Sequence, residues 1–349
     1  MHTTSQISAS ASSSATGKRR HADAYDVEWQ SNIVHTRGKA NVMQIPAEVD
    51  AQSIQSIPGL AVEKLPRANK GKSHTVPALY FGEPILLKCA TRENAQREHS
   101  ALMSAKTLFA TLLAGFPSAN GQYCLIFKRP SGVSLRVYAG ALSREQKDAL
   151  LPDIFAQAIT ALKYMHRLNL AHGDIQPDNI MVWQATPNDM PQITIMNLEK
   201  SQRSKGQLQP AVAGTFGYRP PEDYLETRTN LLKRDSWMLG ATLYDALTGA
   251  PPYGYYYSPA DEKYTKWLEK YMVFKMRSIV ELGENRFKPI LAVKNAHLLQ
   301  LLDALMTCRA EKRPTVSELD ASLIFALAGK DKPLAYLGHV WSKVLTTLS

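Results

Sequence analysis

The stretch HGDIQPDN (172–179) decides the fold. It follows LLPDIFAQAITALKYMHRL (150–168), in which apolar residues recur at helical spacing. It precedes two short apolar runs, NIMVW (179–183) and ITIMN (193–197), which predict a hairpin because a turn-rich segment joins them. The sequence thus places a histidine, a carboxylate and an amide between a long helix and a hairpin.

The flanking regions differ in pattern. Three runs typical of strands come first, with a polar, helix-capable stretch at 92–106 between the last two: VPALYF (76–81), PILLKCA (84–90) and YCLIFK (123–128). DSWMLGATLYDALTG (235–249) and HLLQLLDALMT (297–307) predict core helices downstream, and TVSE (315–318) offers a capping box. A small β-rich front and a large helical back predict a two-lobed α+β fold.

Composition and pattern divide the chain into four regions. Residues 1–25 form a Ser-rich arm that we expect to be disordered, and 26–65 form an irregular, loosely packed extension. The β-rich lobe is predicted over 66–129 and the helical lobe over 130–345. The net charge of +10 favours acidic partners but indicates no specific nucleic acid.

The cysteines and the lengths of the apolar runs indicate the cellular compartment in which we expect the protein. Cys89, Cys124 and Cys308 lie in apolar runs without C-x-x-C spacing, which predicts buried free thiols in a reducing compartment. No stretch approaches the ~20 apolar residues of a membrane span, so no transmembrane segment is predicted. We therefore expect a cytoplasmic protein. The Ser-rich start also resembles the export signals of bacterial type III effectors, which would send the protein into a host cell.

These residues resemble the protein kinase family over roughly 66–325. Residues 172–179 match the catalytic-loop pattern H-R-D-x-x-x-x-N except at the second position. The resemblance implies that Asp174 accepts the proton of the substrate hydroxyl and that Asn179 holds Mg²⁺. GTFGYRPPE (214–222) is similar to the end of a kinase activation segment, which forms a substrate-binding shelf.

The resemblance also assigns structural and nucleotide-binding roles. Glu222 would pair with Arg313 of KRPT (312–315), and Asp235 would hold the backbone of the catalytic loop. Lys88 looks like the strand lysine that neutralises the α- and β-phosphates of ATP, and Glu98 is its expected helical partner.

The stretch LIFKRPSGVSL (125–135) is similar to the hinge that joins the two lobes of a kinase. That alignment puts Phe127 at the entrance to the adenine pocket. A plain core position for Phe127, and solvated surface positions for Lys88 and Glu98, are the alternatives.

The glycine-rich loop is the first departure from the family. Its pattern G-x-G-x-x-G-x-V aligns with 69–76, where Gly71 and Val76 are retained. Asn69 and His74 replace the outer glycines and would crowd the backbone approach to phosphate, which needs residues without a Cβ. We therefore expect a phosphate lid that is compromised or has a different shape.

The catalytic loop carries two further departures. Gly173 replaces the arginine that reads a phosphorylated activation loop, which argues against switching by phosphorylation of Ser201, Ser204 or Thr215. Gln176 replaces the lysine that steadies the transferring phosphoryl group, and a neutral amide supplies no charge there.

The metal-binding motif differs most from the pattern of the kinase family. Asn197-Leu198-Glu199 stands at the D-F-G position, where an aspartate should bridge Mg²⁺ to the phosphates. The amide of Asn197 is a neutral and weaker ligand for a hard cation. Glu199, two positions on, is a candidate substitute carboxylate. The binding of ATP with Mg²⁺ is therefore in doubt.

The sequence predicts an ATP-binding, protein kinase-like domain with weak or lost phosphoryl transfer, a pseudokinase that acts through binding to a docking partner. One alternative is an active, atypical Ser/Thr protein kinase, an ATP-dependent transferase with a protein substrate and Asp174 as catalytic base. The other is a small-molecule phosphotransferase, because HGDxxxxN also resembles the catalytic loop of aminoglycoside and choline kinases. The GTFGYRPPE shelf argues against this third reading.

Overall fold

The computed structural model describes most of the chain between 54 and 328. The described ranges are 54–63, 73–105, 109–118, 121–186, 189–226, 228–259, 262–290 and 293–328. The predicted arm over 1–25, most of the extension over 26–65 and Gly71 lie outside them.

The described residues form short strands and eight α-helices. The strands are β1 (Leu60–Ala61), β2 (His74–Tyr80), β3 (Glu83–Ala90), β4 (Leu112–Pro117), β5 (Tyr123–Lys128), β6 (Val133–Ser134), β7 (Leu170–Ala171), β8 (Ile180–Trp183), β9 (Gln192–Ile195), β10 (Gln202–Arg203), β11 (Tyr255–Ser258) and β12 (Lys263–Lys266). The helices are α1 (Arg92–Ser104), α2 (Leu135–Ala141), α3 (Arg144–Arg167), α4 (Glu222–Leu225), α5 (Leu231–Thr248), α6 (Glu269–Leu282), α7 (Ala296–Leu305) and α8 (Ala321–Ala328).

An antiparallel sheet in the order β1-β2-β3-β5-β4 forms the front of the molecule. The strands β2, β3 and β5 are those predicted from the sequence, whereas β4 was not predicted because Gly115 and Pro117 interrupt its apolar pattern. The helix α1 follows β3 directly, and the hydroxyl of Thr91 caps it by accepting a hydrogen bond from the amide of Asn94. Lys88 lies on β3 and Glu98 lies on α1, and this packing brings their side chains together.

The described end of the N-terminal extension packs more tightly than predicted. Residues Ile54–Ser56 form a 3₁₀ turn, and β1 pairs with β2 so that Leu60 faces Tyr80. Ile54 and Leu60 are buried in a core with strand residues of the sheet. The strand β1 is therefore an edge of the sheet, and Ile54 and Leu60 pack into the core of the sheet.

The prediction of free thiols is wrong for two of the three cysteines. Cys89 and Cys124 face each other across β3 and β5 and form a disulfide, and both are fully buried. Strand register makes them neighbours, which their separation in sequence did not indicate. Disulfides belong to oxidising compartments, so these two cysteines no longer support a reducing one. Cys308 is a buried free thiol, and burial raises its pKa to about 11.

The helical part confirms the two-lobed α+β fold. Ser143 and Gln146 form a capping box at the start of α3. The helix α5 is buried nearly all round and is followed by Gly249, whose φ of 84° is the left-handed conformation that suits glycine at a helix C-cap. The hairpin of β8 and β9 lies between α3 and the activation-segment stretch, as predicted. None of the described helices combines the length and apolarity needed to cross a membrane.

Candidate active site

The backbone of the catalytic loop is held from the buried helix α5. The carboxylate of Asp235 accepts the amide of His172 at 2.7 Å and the amide of Gly173 at 2.8 Å. His166 Nε2 lies 3.0 Å from the same carboxylate. Burial opposes the charge of Asp235, but the hydrogen bonds from His166 and from the amide of Gly173 help to outweigh it, so its pKa is lowered. This is the geometry that the sequence predicted for Asp235.

The side chain of His172 joins the loop to the hairpin. Burial lowers the pKa of His172, so the ring is neutral at pH 7. Its Nδ1 accepts the amide of Asp174 at 3.2 Å, which leaves the proton on Nε2 to be donated to the carbonyl of Met196 at 3.1 Å. The residue before Asn197 is thereby fixed relative to Asp174.

Asp174 lies at the centre of the site and is 2% exposed. Its Oδ1 accepts the amide of Thr215 at 2.7 Å, and its Oδ2 accepts a hydrogen bond from Lys200 Nζ at 2.9 Å. Gln176 Nε2 donates to the hydroxyl of Thr215 at 2.9 Å. Asn179 Nδ2 donates to the carbonyl of Asp174 at 2.7 Å, which fixes that side chain against the loop.

Asn197 lies directly beside Asn179. Its backbone has φ 65° and ψ 64°, a left-handed conformation that asparagine tolerates better than most residues. Asn197 Nδ2 donates to Asn179 Oδ1 at 3.3 Å. Leu198, next along the chain, is fully buried in the main core. The two amides that the resemblance assigned to Mg²⁺ are thus adjacent.

Lys88 collects three oxygen atoms around its ammonium group. Its Nζ lies 2.7 Å from Glu98 Oε2, 2.5 Å from Asn197 Oδ1 and 3.1 Å from Glu199 Oε2. Burial disfavours the charge, but Glu98 and Glu199 outweigh it, so the pKa of Lys88 is raised. Glu98 Oε1 also accepts the amide of Leu198 at 3.0 Å. Lys88 and Glu98 are buried, which excludes the alternative of two solvated surface charges.

Glu199 reaches Lys88 although it lies two positions after Asn197, which stands at the aspartate position of the family motif. Its side chain is 11% exposed, and Arg97 Nη1 donates to its backbone carbonyl at 2.9 Å. Burial opposes the charge of Glu199, but the ammonium of Lys88 outweighs it, so the pKa of Glu199 is lowered. Glu199 is therefore an ionised carboxylate beside Asn197.

The oxygen-bearing side chains of this site offer Mg²⁺ one carboxylate, and Asn179 Oδ1, Asn197 Oδ1 and Glu199 Oε2 already contact Asn197 or Lys88. Mg²⁺ prefers oxygen ligands and keeps several waters, so it needs few protein groups. Asn179, Asn197 and Glu199 supply two amide oxygens and a carboxylate. Within the described ranges, no three carboxylate, imidazole or thiol side chains cluster as a metal site. The site is consequently poorer in charge than a pair of carboxylates would make it.

The predicted nucleotide-binding residues of the sheet are less fully described. Phe127 is 3% exposed on β5, opposite Leu86 and Leu112, within the main core. Val76 pairs with Leu87 on β3, and His74 opens β2.

The activation-segment stretch is tied to the helical lobe by a buried ion pair. Arg313 Nη1 lies 2.6 Å from Glu222 Oε1, and Nη2 lies 3.1 Å from Oε2. Arg313 also donates to the carbonyls of Thr307 and Cys308, and its guanidinium lies over the ring of Trp237 at 4.9 Å. The predicted partners are thus in bidentate contact.

Comparison with known proteins identifies the family. Residues 86–324 match the model of the protein kinase domain. The chain belongs to the protein kinase domain family. The serine/threonine-protein kinase RAD53 of Saccharomyces cerevisiae is 30% identical over 153 residues, which are 40% of this chain and 18% of that protein. Sperm motility kinase 1 of Mus musculus is 29% identical over 198 residues, which are 56% of this chain and 36% of that protein.

The aurora kinase of Saccharomyces cerevisiae is 35% identical over 111 residues, which are 30% of this chain and 28% of that protein. The chain therefore matches 36% or less of the length of each of these three relatives.

Two residues at the site of this kinase domain were not predicted. Arg97 fixes the backbone of Glu199, and Lys200 contacts Asp174. The basic end of ITIMNLEKS was the only signal for Lys200, and a single lysine after a strand does not identify a partner.

Proposed function

We propose that this kinase domain binds ATP with Mg²⁺ and transfers the γ-phosphoryl group slowly to a Ser or Thr hydroxyl of a protein. The observation that carries the proposal is the cluster at Lys88, whose ammonium contacts Glu98, Asn197 and Glu199 together. A lysine ordered by one carboxylate beside a second one is suited to neutralising phosphate charge. The protein kinase relatives and the ordered shelf favour a protein acceptor over a small molecule.

In the proposed reaction, Asp174 receives the proton of the acceptor hydroxyl. The hydroxyl oxygen forms a bond to the γ-phosphorus as the bond from that phosphorus to the β–γ bridging oxygen breaks, and ADP departs. Lys88 would offset the charge of the α- and β-phosphates. Asn179, Asn197 and Glu199 would hold Mg²⁺, which supplies further neutralisation of the phosphates when bound.

The transfer is proposed to be slow because Asn197 lacks a charge. Loss of one electrostatic group that acts on the transition state costs about 10²–10³ in rate. Glu199 offsets part of this loss because its carboxylate already lies in the cleft.

A nucleotide-binding pseudokinase that acts through a docking protein is the second candidate. It is favoured by Asp174, both of whose carboxylate oxygens already accept hydrogen bonds. A base that is committed to Thr215 and Lys200 has less freedom to take a substrate proton.

The test combines nucleotide binding with a transfer assay on the full chain. Thermal unfolding would be followed with ATP in the presence and absence of Mg²⁺, and transfer of labelled γ-phosphate to casein would be measured alongside. We expect a Mg²⁺-dependent rise in the melting temperature and slow labelling that Asp174→Ala abolishes. Labelling that survives Asp174→Ala would refute the assigned base. Binding of ATP without any labelling would leave the docking pseudokinase as the function.

A further inference from the structure

The two departures in the catalytic loop, Gly173 and Gln176, both lie close to Lys200 or to its partner Asp174. Gln176 stands where the family has a lysine, and its amide reaches the hydroxyl of Thr215 at 2.9 Å. The cation nearby is Lys200, whose Nζ lies 2.9 Å from Asp174 Oδ2. The Lys200 side chain is only 23% exposed, and the Asp174 side chain is 3% exposed. A partly buried charge contact of this kind is more than a solvated surface pair.

Gly173 makes room for the backbone of Lys200. Gly173 has φ +78°, and a Cβ built there would lie 2.4 Å from the carbonyl oxygen of Lys200. That separation is too short for any side chain, so the arginine of the family pattern cannot occupy this position in this conformation. Asp235 holds the amide of Gly173 at 2.8 Å, so the loop has little freedom to move away.

The rest of the backbone around Lys200 is also fixed. Residues Leu198–Lys200 form one 3₁₀ turn, and the amide of Ser201 closes it by donating to the carbonyl of Leu198 at 3.0 Å. The strand β10 then pairs with β7, so that Gln202 faces Ala171. The contact of Lys200 with Asp174 therefore follows from the path of the chain as well as from a long side chain.

We propose that Lys200 takes over the role that the catalytic loop has lost at Gln176. Its ammonium positions the carboxylate of Asp174 and carries positive charge beside the point where the acceptor oxygen meets the γ-phosphorus. Gly173 and Gln176 then contribute to the same replacement. Gly173 leaves space for the backbone of Lys200, and Gln176 donates a neutral hydrogen bond to Thr215. This inference rests on the proposed function, because it assigns a residue to the same reaction.

The charge should matter more in the transition state than in the ground state. Negative charge spreads over the transferring phosphoryl oxygens as the acceptor proton passes to Asp174. An ammonium fixed next to Asp174 stabilises that charge without reorganising. Its loss should therefore lower kcat more than it raises KM for ATP.

The experiment moves the lysine between its two possible positions. The variants are Lys200→Met, Lys200→Arg, Gln176→Lys and the double variant Lys200→Met with Gln176→Lys. Lys205→Met is the matched control, because Lys205 is an exposed lysine on the same segment. Melting temperatures establish that each variant folds. The kcat and the KM for ATP are measured with casein, and the affinities for ATP and ADP are measured by calorimetry with Mg²⁺.

We expect Lys200→Met to lower kcat by about 10²-fold with a change in KM of only a few fold. The affinity for ATP should fall while that for ADP stays constant, since only ATP presents a γ-phosphate. Lys200→Arg should retain most of the rate, and the double variant should regain at least tenfold over Lys200→Met. A purely structural ion pair would lower the melting temperature without changing the preference for ATP over ADP.

Two results would overturn the inference. One is a folded Lys200→Met protein with the kcat of the parent or with the fall seen for Lys205→Met. The other is a folded double variant that stays at the rate of Lys200→Met. If the parent transfers no phosphate, the proposed function fails by itself, and the preference for ATP over ADP then decides whether Lys200 faces the γ-phosphate.

Discussion

Replacing Arg313 by methionine should be among the most destabilising single changes in this kinase domain. The substitution keeps much of the length of the side chain but leaves the carboxylate of Glu222, which is 3% exposed, without its cation. The carbonyls of Thr307, Lys233 and Cys308 lose a donor at the same time. Breaking a buried ion pair by removing one partner costs about 3–5 kcal/mol. This is a large part of the 5–15 kcal/mol by which folded domains are typically stable.

The assay is urea unfolding followed by tryptophan fluorescence, with a thermal scan as a second measure. For a domain of this size, a loss of 3–5 kcal/mol corresponds to a fall of roughly 6–20 °C in melting temperature. The double variant Glu222→Gln with Arg313→Met removes both charges and should recover 1 kcal/mol or more, by order of magnitude, over Arg313→Met alone. A cost below about 1 kcal/mol for Arg313→Met would refute the reasoning, since it would mean that the buried carboxylate needs no partner.

Three further predictions concern the cleft. Asn197→Asp should raise the rate of γ-phosphate transfer by about 10-fold or more and increase the stabilisation by Mg²⁺, measured by casein labelling and thermal scans, because it adds a carboxylate beside Glu199. The pKa of His172 is lowered from 6.5, so its imidazole takes up a proton at higher pH in the unfolded chain than in the folded one. The free energy of unfolding should therefore fall as the pH drops below about 6.5, by up to ~1.4 kcal/mol per pH unit. The urea midpoints measured at pH 7.5 and 5.5 should differ less in His172→Gln than in the parent. Gly173→Ala should lower the melting temperature and the transfer rate together, because its Cβ meets the carbonyl of Lys200.

The parts of the site that the sequence predicted depend on local spacing. Asp174 and Asn179 share one loop, so their separation along the chain fixes their separation in space. Asp235 and Arg313 were assigned through motifs that have a set place in the family, and the structure brings each to its partner. Local pattern also predicted β2, β3 and β5, because short apolar runs bounded by turn residues are typical of strands.

The features that were missed depend on register and backbone conformation. Cys89 and Cys124 meet because β3 and β5 pair in one register, and a shift by one residue would separate their side chains. Asn197 adopts a left-handed conformation that turns the following residues back into the cleft. No spacing rule predicts such a turn, so the sequence left the direction of Glu199 open.

The single turn Leu198–Lys200 explains how one short stretch offsets several losses. A 3₁₀ helix has three residues per turn, so three consecutive side chains point in three directions about 120° apart. Leu198 is buried in the core, Glu199 reaches Lys88, and Lys200 reaches Asp174. An extended path would place Leu198 and Lys200 on the same face, whereas the turn sends them in different directions. The amide at Asn197 and the missing lysine at Gln176 therefore belong to one rearranged site, in which Glu199 and Lys200 supply the two charges.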